Sequence, residues 1–374
     1  MNADDLARAY RSGRISRRQL NLALAGTGLA AVTVPLGPRP AKAAGEIMYF
    51  GWSGYENPAF HADYVAKYGG SPESSFWGSE DEAFQKLRQG FTPDVMNPCT
   101  YELIKWREGG VIAALDEARL TNLADVFPSL VTIEGSLHEG KRYFMPMDWG
   151  NSTVIYRTDL VDPAYVAENS WKVMYDERYA GRLAFYDSAG AVVEIAALVM
   201  GYSKDEIFNL TEEQLVEVRK TMEKQRDLLR FYWSDVTEID QALAAGEIVA
   251  AYGWNESYVR MKKEGLPIGM MVPKEGIFTW CCGLVMHPQT KNAEASYDLI
   301  NAMTTPETGQ YEIENWGYGH SNRKAFDLVA PEKLDELGFS TPEALLSNGI
   351  FFRALDGKVE ENYIRLFEDV KAGV

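Results

Sequence analysis

The sequence predicts an α/β protein of two lobes, each a mixed sheet flanked by helices, with the chain crossing between them. Three observations carry this expectation. Short apolar runs alternate with helical stretches over 47–106 and again over 183–264, an order that builds mostly parallel sheets covered by helices. A turn-rich stretch, Phe144-Met145-Pro146-Met147-Asp148-Trp149-Gly150-Asn151-Ser152-Thr153, separates the two alternations and reads as a crossing. A length of 374 residues with 46% hydrophobic content is more than one core commonly serves and suits two.

Residues 1–43 stand outside this pattern. Ser16-Arg17-Arg18-Gln19-Leu20 sets a twin arginine before a weakly apolar run broken by Gly26 and Gly28, and Ala41-Lys42-Ala43 has the form of a cleavage site. The run over 22–36 is shorter than the roughly 20 residues of a spanning helix. A twin-arginine signal peptide over 1–43 and a periplasmic mature protein are therefore expected.

The elements follow in order. A strand over 47–50 leads through the loop Gly51-Trp52-Ser53-Gly54-Tyr55 to a helix over 58–68. A strand over 74–77 precedes an acidic helix start, Glu80-Asp81-Glu82, and a third strand near Val95 ends in Asn97-Pro98-Cys99-Thr100-Tyr101 before a helix through Trp106. After the turn-rich stretch, Val154-Ile155-Tyr156 reads as a strand. A strand over 183–186, the loop Asp187-Ser188-Ala189-Gly190 and a helix over 191–200 open the second alternation. Helices over 212–229 and 238–245, a strand over 248–252 running into Gly253-Trp254-Asn255, and a helix over 257–264 continue it. A strand over 269–272 follows, and then one over 282–286 that reads as the return crossing. Helices over 293–304 and 306–315, a turn Gly317-Tyr318-Gly319-His320 and a mainly helical tail complete the chain.

Charge excludes one class of partner. The formal net charge is −17, and it becomes −22 once 1–43, with seven basic and two acidic residues, is set aside. No basic stripe exists to neutralise phosphates, so no nucleic-acid partner is expected. The three cysteines, Cys99, Cys281 and Cys282, are an odd number. A bridge between the adjacent pair would be strained, and sequence alone assigns Cys99 no partner. Four His and no C-x-x-C or H-E-x-x-H pattern leave metal sites and cofactors without support, so none is expected. No nucleophile elbow, Walker loop or dinucleotide fingerprint points to an enzyme. Asp148, Asp187 and Glu194 could supply a carboxylate pair, but spacing alone does not bring any two together.

The aromatic residues supply the positive signal. Trp52, Tyr55, Tyr101, Trp149, Trp254, Trp280 and Tyr318 all lie in or beside loops at strand ends or crossings. Ligands of open α/β sheets bind beyond the carboxyl ends of the strands. Several rings around one small ligand suit a sugar or an organic cation.

At this point the chain resembles the periplasmic spermidine/putrescine-binding proteins of ABC importers. The matching stretches include Gly51-Trp52-Ser53-Gly54-Tyr55, Pro98-Cys99-Thr100-Tyr101, Pro146-Met147-Asp148-Trp149-Gly150, Trp254-Asn255-Glu256-Ser257, Pro273-Lys274-Glu275-Gly276, Gly317-Tyr318 and Ser347-Asn348-Gly349. The resemblance implies a type II periplasmic binding protein fold whose lobes close on the ligand, with 45–151 plus 283–326 as one lobe and 152–282 plus 327–374 as the other. It implies a monomer that presents a small-molecule solute to an ABC permease in the inner membrane. The binding residues it implies are Trp52, Ser53, Tyr55, Thr100, Tyr101, Trp149, Trp254, Asn255, Trp280, Cys282 and Tyr318.

Departures from the family pattern shape the expected ligand. Positions where polyamine binders carry carboxylates read Ser188, Ala191 and Cys282, and Phe352 replaces a Gln. A buried ammonium without a counter-charge is costly. The expected solute is therefore a methylated onium compound in an aromatic box: dimethylsulfoniopropionate, glycine betaine, carnitine, choline or trimethylamine N-oxide. Ser53, Thr100, Asn255, His320 and Arg353 are the candidates to receive a zwitterion's anionic end. The alternatives are a polyamine binder with carboxylates relocated to Asp187 or Glu194, an opine, sugar or amino-acid binder, and an enzyme.

Overall fold

A computed structural model describes residues 47–374, and the signal segment expected at 1–43 lies outside the described residues. The strands are β1 (Met48–Gly51), β2 (Glu73–Phe76), β3 (Val95–Met96), a small hairpin of β4 (Leu137–His138) and β5 (Lys141–Arg142), and the long β6 (Met145–Arg157). They continue as β7 (Leu183–Tyr186), β8 (Leu229–Trp233), β9 (Ala250–Trp254), β10 (Ile268–Met270), β11 (Phe278–Met286), β12 (Gly319–His320) and β13 (Ile350–Phe351).

The main sheet runs β2-β1-β3-β11-β6-β9-β7-β8. Its two ends are parallel: β1 pairs β2 and β3, and β7 pairs β8 and β9. Parallel neighbours need crossover connections. Helices Ala62–Tyr68 and Glu80–Arg88 provide them at one end, and Ala189–Met200, Glu212–Leu228 and Val236–Ala244 at the other. These helices start where their residues dictate. Ser79 accepts from the Glu82 N–H, and Thr211 with Gln214 and Asp235 with Glu238 form capping boxes.

The middle of the sheet is antiparallel, with β11 between β3 and β6, and β6 between β11 and β9. Buried side chains fall into two clusters, and β6 and β11 run through both. Met145, Met147 and Trp149 of β6 join Phe50, Trp106 and Leu284 in the first cluster, whereas Val154, Ile155 and Tyr156 join Phe185, Trp233 and Phe278 in the second. The two expected crossings are thus a pair of hydrogen-bonded strands.

Two details differ from expectation. The turn-rich stretch is no turn: 145–157 is one strand, because β11, β12, β9 and β10 offer its backbone ladder partners and that pairing overrides the local preference of Pro146, Gly150 and Asn151. The tail divides differently as well. Val329, Leu337, Phe339 and Leu346, expected with the second lobe, are buried in the first cluster, whereas Ile350, Phe352, Leu355 and the helix Gly357–Ala372 pack on the second. The register of β11 on β6 shifts between Cys282 and Gly283. A Cβ at Gly283 would collide with the Met145 carbonyl oxygen, so only glycine permits this close approach.

Candidate functional site

The β6–β11 pairing decides which side chains can meet. Trp280 lies opposite Gly150 and Cys282 opposite Asp148. Residues paired across a ladder project to the same face, so these four share one face while Cys281 and Trp149 point the other way. A Cβ at Gly150 would strike the Trp280 indole, and its absence lets the ring lie over the strand. From there an arc of rings extends outward. Trp280 meets Tyr318 edge-on with centroids 4.7 Å apart, Tyr318 meets Trp316 at 5.9 Å, and Trp316 meets Tyr55 at 4.9 Å. The Tyr318 hydroxyl donates to Glu256 at 2.9 Å, and Glu256 pairs with Arg260.

Carboxylates stand beside these rings. The Tyr55 hydroxyl donates to Asp148, which is fully buried, as is Glu312 on the helix Pro306–Trp316. Burial pushes the Asp148 carboxyl up to about 7. Burial and then the Asp148 charge hold Glu312 well above the usual carboxylate range. Oδ1 of Asp148 has no hydrogen-bond partner, and Tyr55 is the one donor within reach of Glu312.

A third acid, Glu80, caps the loop that carries Thr100 and Tyr101. It accepts the Cys99 N–H at 2.5 Å and a hydrogen bond from Tyr101. Burial raises its carboxyl to about 8 against the pull of those two bonds. Tyr101, so oriented, meets Phe352 across the lobes at 6.3 Å.

Cys99 and Cys282 form a disulfide, which leaves Cys281 as the buried free thiol among the described residues. This corrects the expectation that Cys99 has no assignable partner and that Cys282 contributes only a small, weakly polar side chain. The pairing follows from the register, which sets Cys99 opposite Cys282 in an isolated antiparallel bridge. The bridge ties the Thr100-Tyr101 loop to the strand that carries Trp280.

The other expected binding residues divide. Trp254 ends β9 beside Tyr186, at 5.4 Å, and is half-buried. Trp52 is half-buried against Trp77, its indole N–H without a partner, and Ser53 is exposed. Thr100 is buried with an unpartnered hydroxyl. Trp149, expected in the box, is instead fully buried in the first core against Phe326 and Phe339, its indole N–H donating to the His320 carbonyl at 3.1 Å. Asn255, also expected there, is buried and accepts the Asn151 N–H at 2.6 Å, which fastens the helix Asn255–Lys263 to the crossing strand. Trp149 lies on the wrong face of β6 by one residue, and the side chain of Asn255 is taken up by backbone.

No expected receiver of a ligand carboxylate carries a free positive charge. His320 is fully buried, burial pulls its imidazole down to about 4, and its Nδ1 accepts the Asn322 N–H. Arg353 pairs with Asp205 at 2.8 Å. Of the acids expected to relocate, Asp187 is bound to Lys371 at 2.7 and 2.8 Å, and Glu194 is buried in the helix Ala189–Met200, where burial raises it to about 8. A surface hollow of about 730 Å³, lined by Leu120, Val126, Val131 and Arg323 among others, shares none of these residues.

Sequence reasoning missed Glu80, Glu312 and Trp316. A buried acid and ring at positions 312 and 316 of one amphipathic helix, just before Gly317-Tyr318, is the signal that was available.

A family model of bacterial extracellular solute-binding proteins matches residues 74–337. The spermidine/putrescine-binding periplasmic protein of Escherichia coli strain K12 is 26% identical over 350 residues, covering 92% of this chain and 97% of that protein. Among solved structures, a spermidine/putrescine ABC transporter substrate-binding protein from Streptococcus pneumoniae matches with a TM-score of 0.75 at 21% identity, over 87% of this chain and 98% of that one. A glucopine-bound periplasmic binding protein from A. tumefaciens B6 matches with a TM-score of 0.67 at 16% identity, over 87% and 99% of the two chains. The architecture is the two-lobe, type II periplasmic binding protein fold.

Proposed function

The chain belongs to the bacterial extracellular solute-binding proteins, and from that membership we propose that it captures a small organic cation bearing primary amine groups, of the polyamine class, for an ABC permease. Proteins of this family bind solutes and pass them on; the relatives named above are importer components rather than enzymes. The Escherichia coli relative is periplasmic, and Arg17-Arg18 supports delivery of this chain to the periplasm by the twin-arginine route.

The observation that carries the reading is a set of buried acids beside aromatic rings, which a cation would draw into ionisation. Glu80, Asp148 and Glu312 are buried acids next to aromatic rings, and neither His320 nor Arg353 offers a positive charge to balance them. Such a set favours a cation and disfavours any ligand that brings its own carboxylate. That weighs against betaine, carnitine and dimethylsulfoniopropionate. Ring faces attract any onium head, but unpartnered carboxylate oxygens seek N–H donors, and a trimethylated nitrogen has none.

The test is a thermal-shift panel on the mature chain. Putrescine, spermidine and agmatine are expected to raise the melting temperature by about 4 °C at a hundredfold excess over Kd, with choline, glycine betaine and dimethylsulfoniopropionate giving less. A larger shift with any methylated onium compound than with every amine would overturn the reading. Trp280→Ala is expected to weaken amine binding about tenfold or more, since one ring face over a desolvated cation is worth that much. Unchanged affinity in that variant would remove the β11 ring from the site.

A further inference from the structure

We propose that Asp148 and Glu312 are the subsite for one ammonium or guanidinium head of the solute, and that its arrival expels a proton which the two carboxyls otherwise share. The inference rests on the amine-binding reading above and assigns it to particular atoms. Two side chains 164 places apart in no obvious motif become one site because β6 and the helix Pro306–Trp316 bring both to the Tyr55 hydroxyl.

The surroundings supply what a cationic head needs and nothing that replaces it. Asp148 receives one hydrogen bond, from Tyr55, and its Oδ1 receives none. Tyr55 is the one hydroxyl within reach of Glu312, which has no partner of opposite charge, and the hydroxyl of Tyr49 is buried without a partner. The titratable groups around the pair are Tyr49 on β1, with the exposed Glu56 near it, Tyr55 on the loop after β1, Tyr318, with Glu256 behind it, after the helix, and Cys281, which feels the Asp148 charge from the other face of β11. His320, opposite Asp148 in the β12 register, is neutral. None of these is a cation, and neither acid enters an ion pair among the described residues.

Buried acceptors left open in a native fold call for a missing donor. An ammonium brings three N–H donors and a guanidinium five, which suits the open oxygens on Asp148 and Glu312. Tyr55, Trp316 and Tyr318 place ring surface beside them, the second half of an ammonium site.

The proton balance follows from electrostatics. Two interacting buried carboxyls without a counter-ion keep one proton between them and carry one negative charge. An incoming R–NH3+ retains its own protons and favours both carboxylates ionised. The shared proton leaves to solvent, so the site passes from one negative charge to two negatives balanced in part by the ammonium, and charge is conserved.

Calorimetric titration of the intact mature protein with putrescine tests this. At pH 7, the apparent binding heat is expected to differ between phosphate and Tris buffers by the ionisation heat of about one proton. Affinity is expected to rise about tenfold per pH unit between pH 6 and 8, because the bound state holds fewer protons than the free one. Asp148→Asn and Glu312→Gln are isosteric and remove a buried charge, so both should fold. Each is expected to weaken putrescine about 30-fold or more and to abolish the buffer dependence. Putrescine binding to the unaltered protein with no buffer-dependent heat, or with affinity unchanged in both variants, would overturn this subsite and leave the amine-binding reading standing. Absence of binding by putrescine, spermidine and agmatine alike would overturn both.

Discussion

Reducing the Cys99–Cys282 disulfide is expected to lower the melting temperature of the ligand-free protein by about 4 °C, from a stabilisation of roughly 3 kcal/mol spread over a chain of this size. The bridge closes a loop of 183 residues, long enough to restrict the unfolded chain strongly. Its second effect is on the site. Cys99 leads into Thr100 and Tyr101, and Cys282 follows Trp280 by two residues, so the bond clamps one ring-bearing loop to the other ring-bearing strand. Reduced protein is therefore expected to bind amines more weakly as well as to melt earlier. Alkylation gives the direct reading: unfolded without reductant, the protein should label on Cys281 alone. Labelling on all three cysteines would show that the bridge does not exist, and an unchanged melting temperature on reduction would show that it does not matter. The exported location expected of the chain permits such a bond.

The second large effect is a loss of stability as pH rises. Glu80 and Glu194 keep their protons to about 8 in the folded protein through burial, and the Asp148–Glu312 pair, also raised by burial, keeps the one it shares. In the unfolded chain the same groups ionise near 4. Between those values the folded state binds more protons than the unfolded state. This stabilisation is complete below about pH 4 and disappears as pH climbs through about 7 to 8. His61 and His320 act in the opposite sense below their ordinary value of 6.5, because burial lowers both to about 4. The clean window is therefore pH 6.5 to 8, where only the raised acids operate. The melting temperature of ligand-free protein is expected to fall by roughly 5 °C across it. Glu194→Gln isolates one group that lies away from the proposed subsite. An amide cannot ionise, so this variant is expected to gain about 1–2 kcal/mol at pH 8 and to show a shallower pH slope. A flat profile in the unaltered protein, or an unchanged slope in the variant, would mean that these acids ionise normally.

Much of the fold was legible because its causes are local. The apolar runs that became β1, β7 and β9 were visible as short β patterns, and the helices near 191–200, 212–229 and 293–304 fell within a few residues of their expected bounds. Ser79, Thr211 and Asp235 mark helix starts by side chains that reach no farther than the next turn. The crossing near Trp149 was legible as an interruption between two alternations, although its turn-forming residues concealed a continuous strand.

The site was legible only in part. Trp280 and Tyr318 emerged from their positions at a crossing and a turn, and they do meet. Trp149 carried the same signal and is a core residue, because a strand alternates faces residue by residue and the deciding register lies in β11 and β12. Asn255 looked like a loop polar group free for a ligand, but Asn151, 104 positions away, occupies it.

By itself, the sequence determined two α/β lobes, two crossings, a family, and the meeting of Trp280 with Tyr318, since each depends on periodicity, turn chemistry or a short contiguous motif. The tertiary structure alone decided that Cys99 bonds to Cys282, that Asp187 turns outward to Lys371, and that Asp148 lies close enough to Glu312 to raise it. The physical reason is distance along the chain. Which side chains face each other across β6, β11 and the helix Pro306–Trp316 is set by ladder register and packing between segments that are separate in the chain, β6 lying more than a hundred residues before the other two, and no local preference encodes it.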